Sequence, residues 1–244
     1  MKLLFACLLS LCSFAASAAE LHLLTDDHPP LQFLQQGQLK GYGVDLVHAL
    51  AGLTGDRVRL DQTPLRRALL LAAQTPDTGV FLVLRSPERE TQYRWVGPAL
   101  DVQIGLYSLG DKPLPLASLE QARHAGRIAV PRKWLGYSYL QKHGMDNLYG
   151  VESPEQMMNL LKLGRADLVV ADDHTIASLA RDAGIDPRQI HLRLALLRQG
   201  VYIAFSPQTD AQRITNWQAA LDQLRQQGEL QRLAHEWQVD QAWR

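Results

Sequence analysis

The sequence predicts an α/β protein in two lobes, each a mostly parallel sheet flanked by helices. Three observations predict it. Short apolar runs alternate with stretches of helical period, which implies parallel strands with covering helices. A pattern of helix end, breaker, aspartate and apolar strand occurs twice, as "AAQTPDTGVFLVL" and "LLKLGRADLVVAD". This echo, one copy in each half, suggests two similar units rather than one continuous sheet. Finally, both cysteines, Cys7 and Cys12, fall in the N-terminal segment, so the remaining chain has to stand on its hydrophobic core.

That N-terminal segment reads as an address. Met1 and Lys2 precede the apolar run "LLFACLLSLCSFAA", and "ASAAE" supplies small residues for cleavage near Ala18 or Ala19. The run is shorter than the roughly 20 residues a membrane span needs. A lipid anchor on Cys12 fits less well, because Leu11 stands where a small residue is wanted. Removing 19 of 244 residues leaves 225, and lysines plus arginines fall from 25 to 24 against 25 acids. Such a balance gives no electrostatic reason to expect nucleic acid or an anionic membrane as partner.

In chain order, "LHLLT" (21–25), "RVRLD" (57–61) and "GVFLVL" (79–84) read as strands. Between them, "YGVDLVHALAGLTG" places Val44, Val47, Leu50 and Ala51 on one helical face and stops at glycine. "TPLRRALLLAAQ" opens with Thr63 as a capping residue before Pro64. After the "GDKPLP" break at 110–115, "RIAVP" (127–131) and "DLVVA" (167–171) are strands. "SPEQMMNLLKLG" (153–164) is a helix with Ser153 and Gln156 spaced as a capping box and Met157, Leu160 and Leu161 facing inward. "GVYIAFS" (200–206) is a further strand, and amphipathic helices around 210–227 and 229–237 close the chain.

Ligands of open α/β sheets bind beyond the carboxyl ends of the strands. "GVFLVL" runs into Arg85, Ser86, Glu88 and Arg89, and "DLVVA" into Asp172 and Asp173. Facing lobes would then present a cation on one side and an anion on the other. A guanidinium binds a carboxylate through two parallel hydrogen bonds, and a carboxylate accepts from an ammonium.

Several segments, in order, resemble the extracellular solute-binding proteins of family 3. They are "HPPLQF" (28–33), "GQLKGYGVDLVHAL" (37–50) with Gly41, Asp45 and Leu46, "SPERE" with "YRWVGP" (86–98), "GRADLVVAD" (164–172) and "GELQRLAHEW" (228–237). The resemblance implies a type II periplasmic-binding-protein fold, two lobes joined by a two-strand hinge and closing on a ligand. It implies a signal peptide over 1–19, a first lobe of 20–103 with 197–244, and a second of 104–196. It implies a monomeric periplasmic receptor with no cofactor, taking an amino acid or organic acid to an inner-membrane ABC permease. By the family pattern Arg89 takes the ligand carboxylate and Asp172 its α-amine, with Ser86 beside Arg89.

His28 stands where the family places an aromatic cover, and Trp134 and Tyr137 follow the second-lobe strand, where rings can close the pocket. Each has a plainer reading: an ion pair of Arg89 with Glu88 or Glu90, a helix cap for Asp172 with Asp173 facing inward, a loop histidine, helix packing for the two rings. Arg67 and Arg85 are expected in surface salt bridges. Leu82 and Leu84 replace the family's small hydroxyl residues, and Arg132 and Lys133 its small second-lobe residues. A carboxylated ligand other than an amino acid therefore stays open. A dehydratase-like enzyme on the same fold and a sensor docking to a membrane kinase are the alternatives. The sequence holds no "HExxH", phosphate-binding glycine loop or "GxSxG".

Overall fold

The computed structural model describes residues 20–110, 114 and 116–239. The expected signal peptide, with Cys7 and Cys12, lies outside the described residues, as does part of the 110–115 break.

The elements run β1 (Leu21–Thr25), a hairpin of β2 (Phe33–Gln35) and β3 (Gln38–Lys40), α1 (Tyr42–Thr54), β4 (Val58–Gln62), α2 (Leu65–Gln74), β5 (Thr78–Leu84) and β6 (Arg94–Leu109). Then come α3 (Leu119–His124), β7 (Ile128–Pro131), α4 (Leu135–Lys142), β8 (Leu148–Val151), α5 (Pro154–Lys162), β9 (Leu168–Asp172) and α6 (Ile176–Asp182). A 3-10 turn leads into β10 (Ile190–Phe205), followed by α7 (Ala211–Gln226) and α8 (Glu229–Glu236).

Eight strands form one sheet in the order β4-β1-β5-β10-β6-β9-β7-β8. The β4-β1-β5 and β9-β7-β8 groups are parallel. β10 runs antiparallel to β5 and β6, and β6 antiparallel to β9. The ladder is thus continuous, unlike the separate sheets the echo suggests. The reason is the length of β6 and β10, 16 residues each, or about 50 Å of extended chain. They pair from Ile190↔Leu109 to Phe205↔Arg94, so each serves both halves of the molecule. Register shifts at Leu192/Leu194, Ala195/Leu197 and Val201/Ile203 interrupt the pairing, and such bulges bend and twist a strand pair.

Although the ladder is continuous, the cores divide. Leu23, Val47, Phe81, Phe205, Trp217 and Leu221 pack under α1, α7 and α8, while Leu24, Ala68, Val80 and Val83 pack under α2 on the other face. In the second half Ala129, Val169 and Ala171 meet α5 and α6, and Ile128, Val130, Leu168 and Val170 meet α3 and α4. Successive strand residues serve opposite faces, which is why these strands read as unbroken apolar runs. Trp217 is fully buried and its indole N–H donates to Asp56 at 2.7 Å, so the ring enters the core without an orphaned donor.

Helix ends follow local chemistry, with two differences from expectation. Val44, Val47, Leu50 and Ala51 form the buried face of α1, and Gly55 ends it in the left-handed conformation. Ser153 caps α5 by accepting from Gln156 N–H at 3.3 Å, but the Gln156 side chain returns to Glu152 N–H at 3.1 Å, one residue earlier than a regular capping box. Thr63 does not cap α2. The helix starts at Leu65 after Pro64, and Thr63 N–H donates to the Thr25 carbonyl at 2.8 Å, prolonging the β1–β4 pairing.

Candidate functional site

A cavity of about 530 Å³ lies where the ends of β5 and β9 approach the crossing of β6 and β10. Its walls are mainly apolar, with Leu31, Leu82, Val102, Ile104, Trp134 and Val170 among them. The polar groups are Asp26, His28, Gln32, Ser86, Glu88, Arg89, Lys133, Ser138 and Asp172.

The two arginines after β5 part company. Arg85 forms a bidentate pair with Glu90 and sits over the rings of Trp95 and Tyr202, 5.6 and 5.3 Å from their centroids. Its charge is spent on structure. Arg89 is carried to the cavity by a turn in which its N–H donates to the Ser86 carbonyl at 3.0 Å. Its Nη1 donates to the Leu84 carbonyl at 3.1 Å, which orients the guanidinium. Among the described residues, no carboxylate forms an ion pair with Arg89. Arg67 is exposed and does not line the cavity.

The strand feeding this turn is irregular. Leu82 is buried with φ at +54°, a left-handed conformation uncommon for a bulky residue. Leu82, Val83 and Leu84 all line the cavity, although a regular pleat would turn alternate residues away. The left-handed residue breaks the alternation, and the β5–β10 register shifts beside it. Gly43 on α1 makes room for Leu82, because a Cβ there would lie 2.7 Å from Leu82 Cδ1.

Across the cavity, Asp172 ends β9. Its Oδ1 accepts from the N–H groups of His174 and Thr175 at 3.1 and 3.0 Å. Its Oδ2 accepts from the Thr175 hydroxyl at 2.7 Å and from His28 Nε2 at 3.2 Å. Burial works against the Asp172 charge, yet the hydrogen bond and charge of His28, with the Thr175 hydroxyl, hold its carboxyl down to about 2. Burial likewise works against a charged His28, but the Asp172 hydrogen bond and the charges of Asp172, Asp26 and Asp27 raise its pKa above the ordinary imidazole value. Asp173 turns to β6 instead, its Oδ1 accepting from Gln103 N–H at 3.0 Å, and burial raises its pKa. It does not line the cavity.

His28 sits in a tight turn, its N–H donating to the Gln32 carbonyl at 2.7 Å. The Trp134 ring lies 6.2 Å from the His28 ring, edge to face. Ser86 and Glu88 both line the cavity, and the Ser86 hydroxyl lowers the Glu88 pKa. Of the six residues the sequence singles out, Arg89, Asp172, His28, Ser86 and Trp134 come together at the cavity; Tyr137 does not. The Arg132 guanidinium lies 5.9 Å from the Tyr137 ring centroid and donates to its hydroxyl at 3.4 Å, while the ring packs with the second-half core. Lys133, which replaces a small family residue, also lines the cavity, and so do Asp26, Gln32 and Ser138, which the sequence reading does not single out. Asp26 follows the end of β1, so the strand-end rule applied to β5 and β9 also points to it. Gln32 is almost fully buried, donates to Asp26 at 3.3 Å, and leaves its Oε1 without a partner. Among the described residues, no group of three or more His, Cys, Asp or Glu is placed to hold a metal ion.

The family model for bacterial extracellular solute-binding proteins, family 3, matches residues 21–240. The chain belongs to this family. Solved structures similar to this family-3 protein include a histidine kinase sensor domain with similarity to periplasmic binding proteins (22% identity, 91% of this chain and 96% of that one, TM-score 0.78). Another is the extracellular-binding protein of a probable amino-acid ABC transporter from Bacillus subtilis (19%, 90% and 98%, 0.76). A third is an ancestral amino-acid-binding protein, a precursor of cyclohexadienyl dehydratase (21%, 89% and 95%, 0.72). At these identities the likeness is one of fold. The chain has no match among curated protein sequences. The family-3 fold accounts for the α/β architecture with its central sheet flanked by helices, and the family is one of small-molecule binders. No helix among the described residues is long and apolar enough to cross a membrane.

Proposed function

We propose that this protein is a periplasmic receptor that captures a small carboxylated organic solute, an amino acid or a similar acid, and delivers it to an inner-membrane ABC permease. Residues 20–103 with 197–244 act as one jaw and 104–196 as the other, hinged on β6 and β10. Arg89 grips the ligand carboxylate, Ser86 assists it, and Trp134 with the leucine-rich walls covers the ligand body.

The observation that carries this reading is Arg89 itself: a guanidinium on an apolar cavity, oriented by a backbone carbonyl and without an acid of its own among the described residues. A half-buried charge of that kind favours an anionic partner. The division of the cores between the two chain portions supports the jaws. A micromolar affinity requires about −8 kcal/mol, within reach of one bidentate pair plus apolar burial. Calorimetry against a panel of amino acids and organic acids tests the proposal. A micromolar ligand is expected, with Arg89→Ala weakening it at least about 30-fold, or about 2 kcal/mol. If the variant binds as tightly as the parent, Arg89 is not the anchor.

A ligand sensor is the second reading, favoured by the likeness to a histidine kinase sensor domain. Ligand-dependent co-purification with a kinase ectodomain rather than a permease selects it.

A further inference from the structure

Asp172 is the acid expected to receive a ligand ammonium, yet its acceptor positions are already used. A carboxylate offers about four lone-pair sites. Two donors to Asp172 are backbone N–H groups and one is the Thr175 hydroxyl, all from the turn into α6. The fourth is the His28 imidazole, 144 residues away in sequence and carried by the turn after β1. With side-chain exposures of 26% for His28 and 13% for Asp172, the pair is largely shielded from solvent.

We propose that His28 is the built-in counter-cation of Asp172, and that the cavity therefore selects a carboxylic acid with an apolar body and no α-ammonium group over the matching amino acid. This rests on the receptor reading above. Admitting an ammonium at Asp172 would require displacing His28, leaving an imidazolium unpaired beside apolar walls, or setting two cations side by side. Both are costly where water is scarce. The raised pKa of His28 favours the charged partner.

The other charged groups on the cavity fit this assignment. Gln32 donates to Asp26 at 3.3 Å, and Glu88 is exposed to solvent. The cations differ: among the described residues, neither Arg89 nor Lys133 forms an ion pair. Within the cavity, Arg89 and Lys133 are therefore open to an anion. Its walls, from Leu31 and Leu82 to Val102 and Trp134, ask that anion for a hydrocarbon body.

The test compares matched pairs by calorimetry at pH 6.5: 4-methylpentanoate with leucine, and 3-phenylpropanoate with phenylalanine. For the parent protein, the acid of at least one pair is expected to bind 10-fold or more tightly than its amino acid. His28→Ala, which frees an acceptor of Asp172, is expected to shrink or reverse that ratio at least 10-fold. Should His28→Ala fail to fold, His28→Gln, which keeps a donor without the charge, must shrink the ratio in the same direction. An amino acid that binds as tightly as its matched acid, or a ratio unmoved by the His28 variants, overturns the inference. If that binding is still lost in Arg89→Ala, the receptor reading survives alone. If no member of either pair binds, the receptor reading fails for apolar-bodied carboxylates, and this inference fails with it.

Discussion

A methyl group added at Gly41 would lie 2.4 Å from the Leu31 carbonyl oxygen, and the backbone there has φ at +122°. The glycine lets the start of α1 press against the turn that carries His28, with Tyr42 and Gly43 N–H groups reaching the carbonyls of Pro30 and Leu31. Gly41→Ala should therefore cost about 2 kcal/mol or more, seen as a lowered urea midpoint. The His28–Asp172 pair makes a second prediction at this scale. Asp172, lowered to about 2, contributes stability that is whole above about pH 4 and lost as pH falls through about 2, worth about 2 kcal/mol. His28, raised, contributes stability that is whole below about pH 6.5 and lost as pH rises through its folded value. Denaturation of parent and His28→Ala should differ most near pH 5, and the gap should close at alkaline pH; an equal gap at both would show that the ion pair adds nothing. Composition and spacing alone do not say which of Arg85 and Arg89 faces the cavity. That depends on Glu90, Trp95 and Tyr202, which capture Arg85. Nor do they say that Tyr137 spends its ring on Arg132.

Elements with strong local signals were the legible ones. β1, β5, β7 and β9 are buried on both faces and read as apolar runs, and α1, α5, α7 and α8 carry periodic apolar faces. Ser153→Ala should cost about 1 kcal/mol, because it orphans the Gln156 N–H at the start of α5. A thermal shift of only a few tenths of a degree would mean that the cap is replaced by water. Less legible were the hairpin β2–β3, the short helices α3, α4 and α6, and most of β6 and β10. "IHLRLALLRQ" in β10 alternates from Ile190 to Leu194 and then loses the pattern, and it pairs with the equally long β6. The left-handed Leu82 is likewise invisible locally, since it depends on Gly43 leaving space in the neighbouring helix.

For the whole molecule, the order of the family segments carried further than any periodicity, because two-lobed topology depends on strands far apart in sequence. Leu84 packs against cores in both halves, at the end of the strand that leads to Arg89. On the proposed receptor reading, closure on a ligand should bring Arg89 and the second-half walls onto the same molecule. A crystal structure of the complex with whichever acid binds most tightly tests this most directly. The ligand carboxylate is predicted to lie within about 3 Å of the Arg89 guanidinium, in the cavity between the halves. A ligand bound elsewhere, or one whose carboxylate turns away from Arg89, would contradict it.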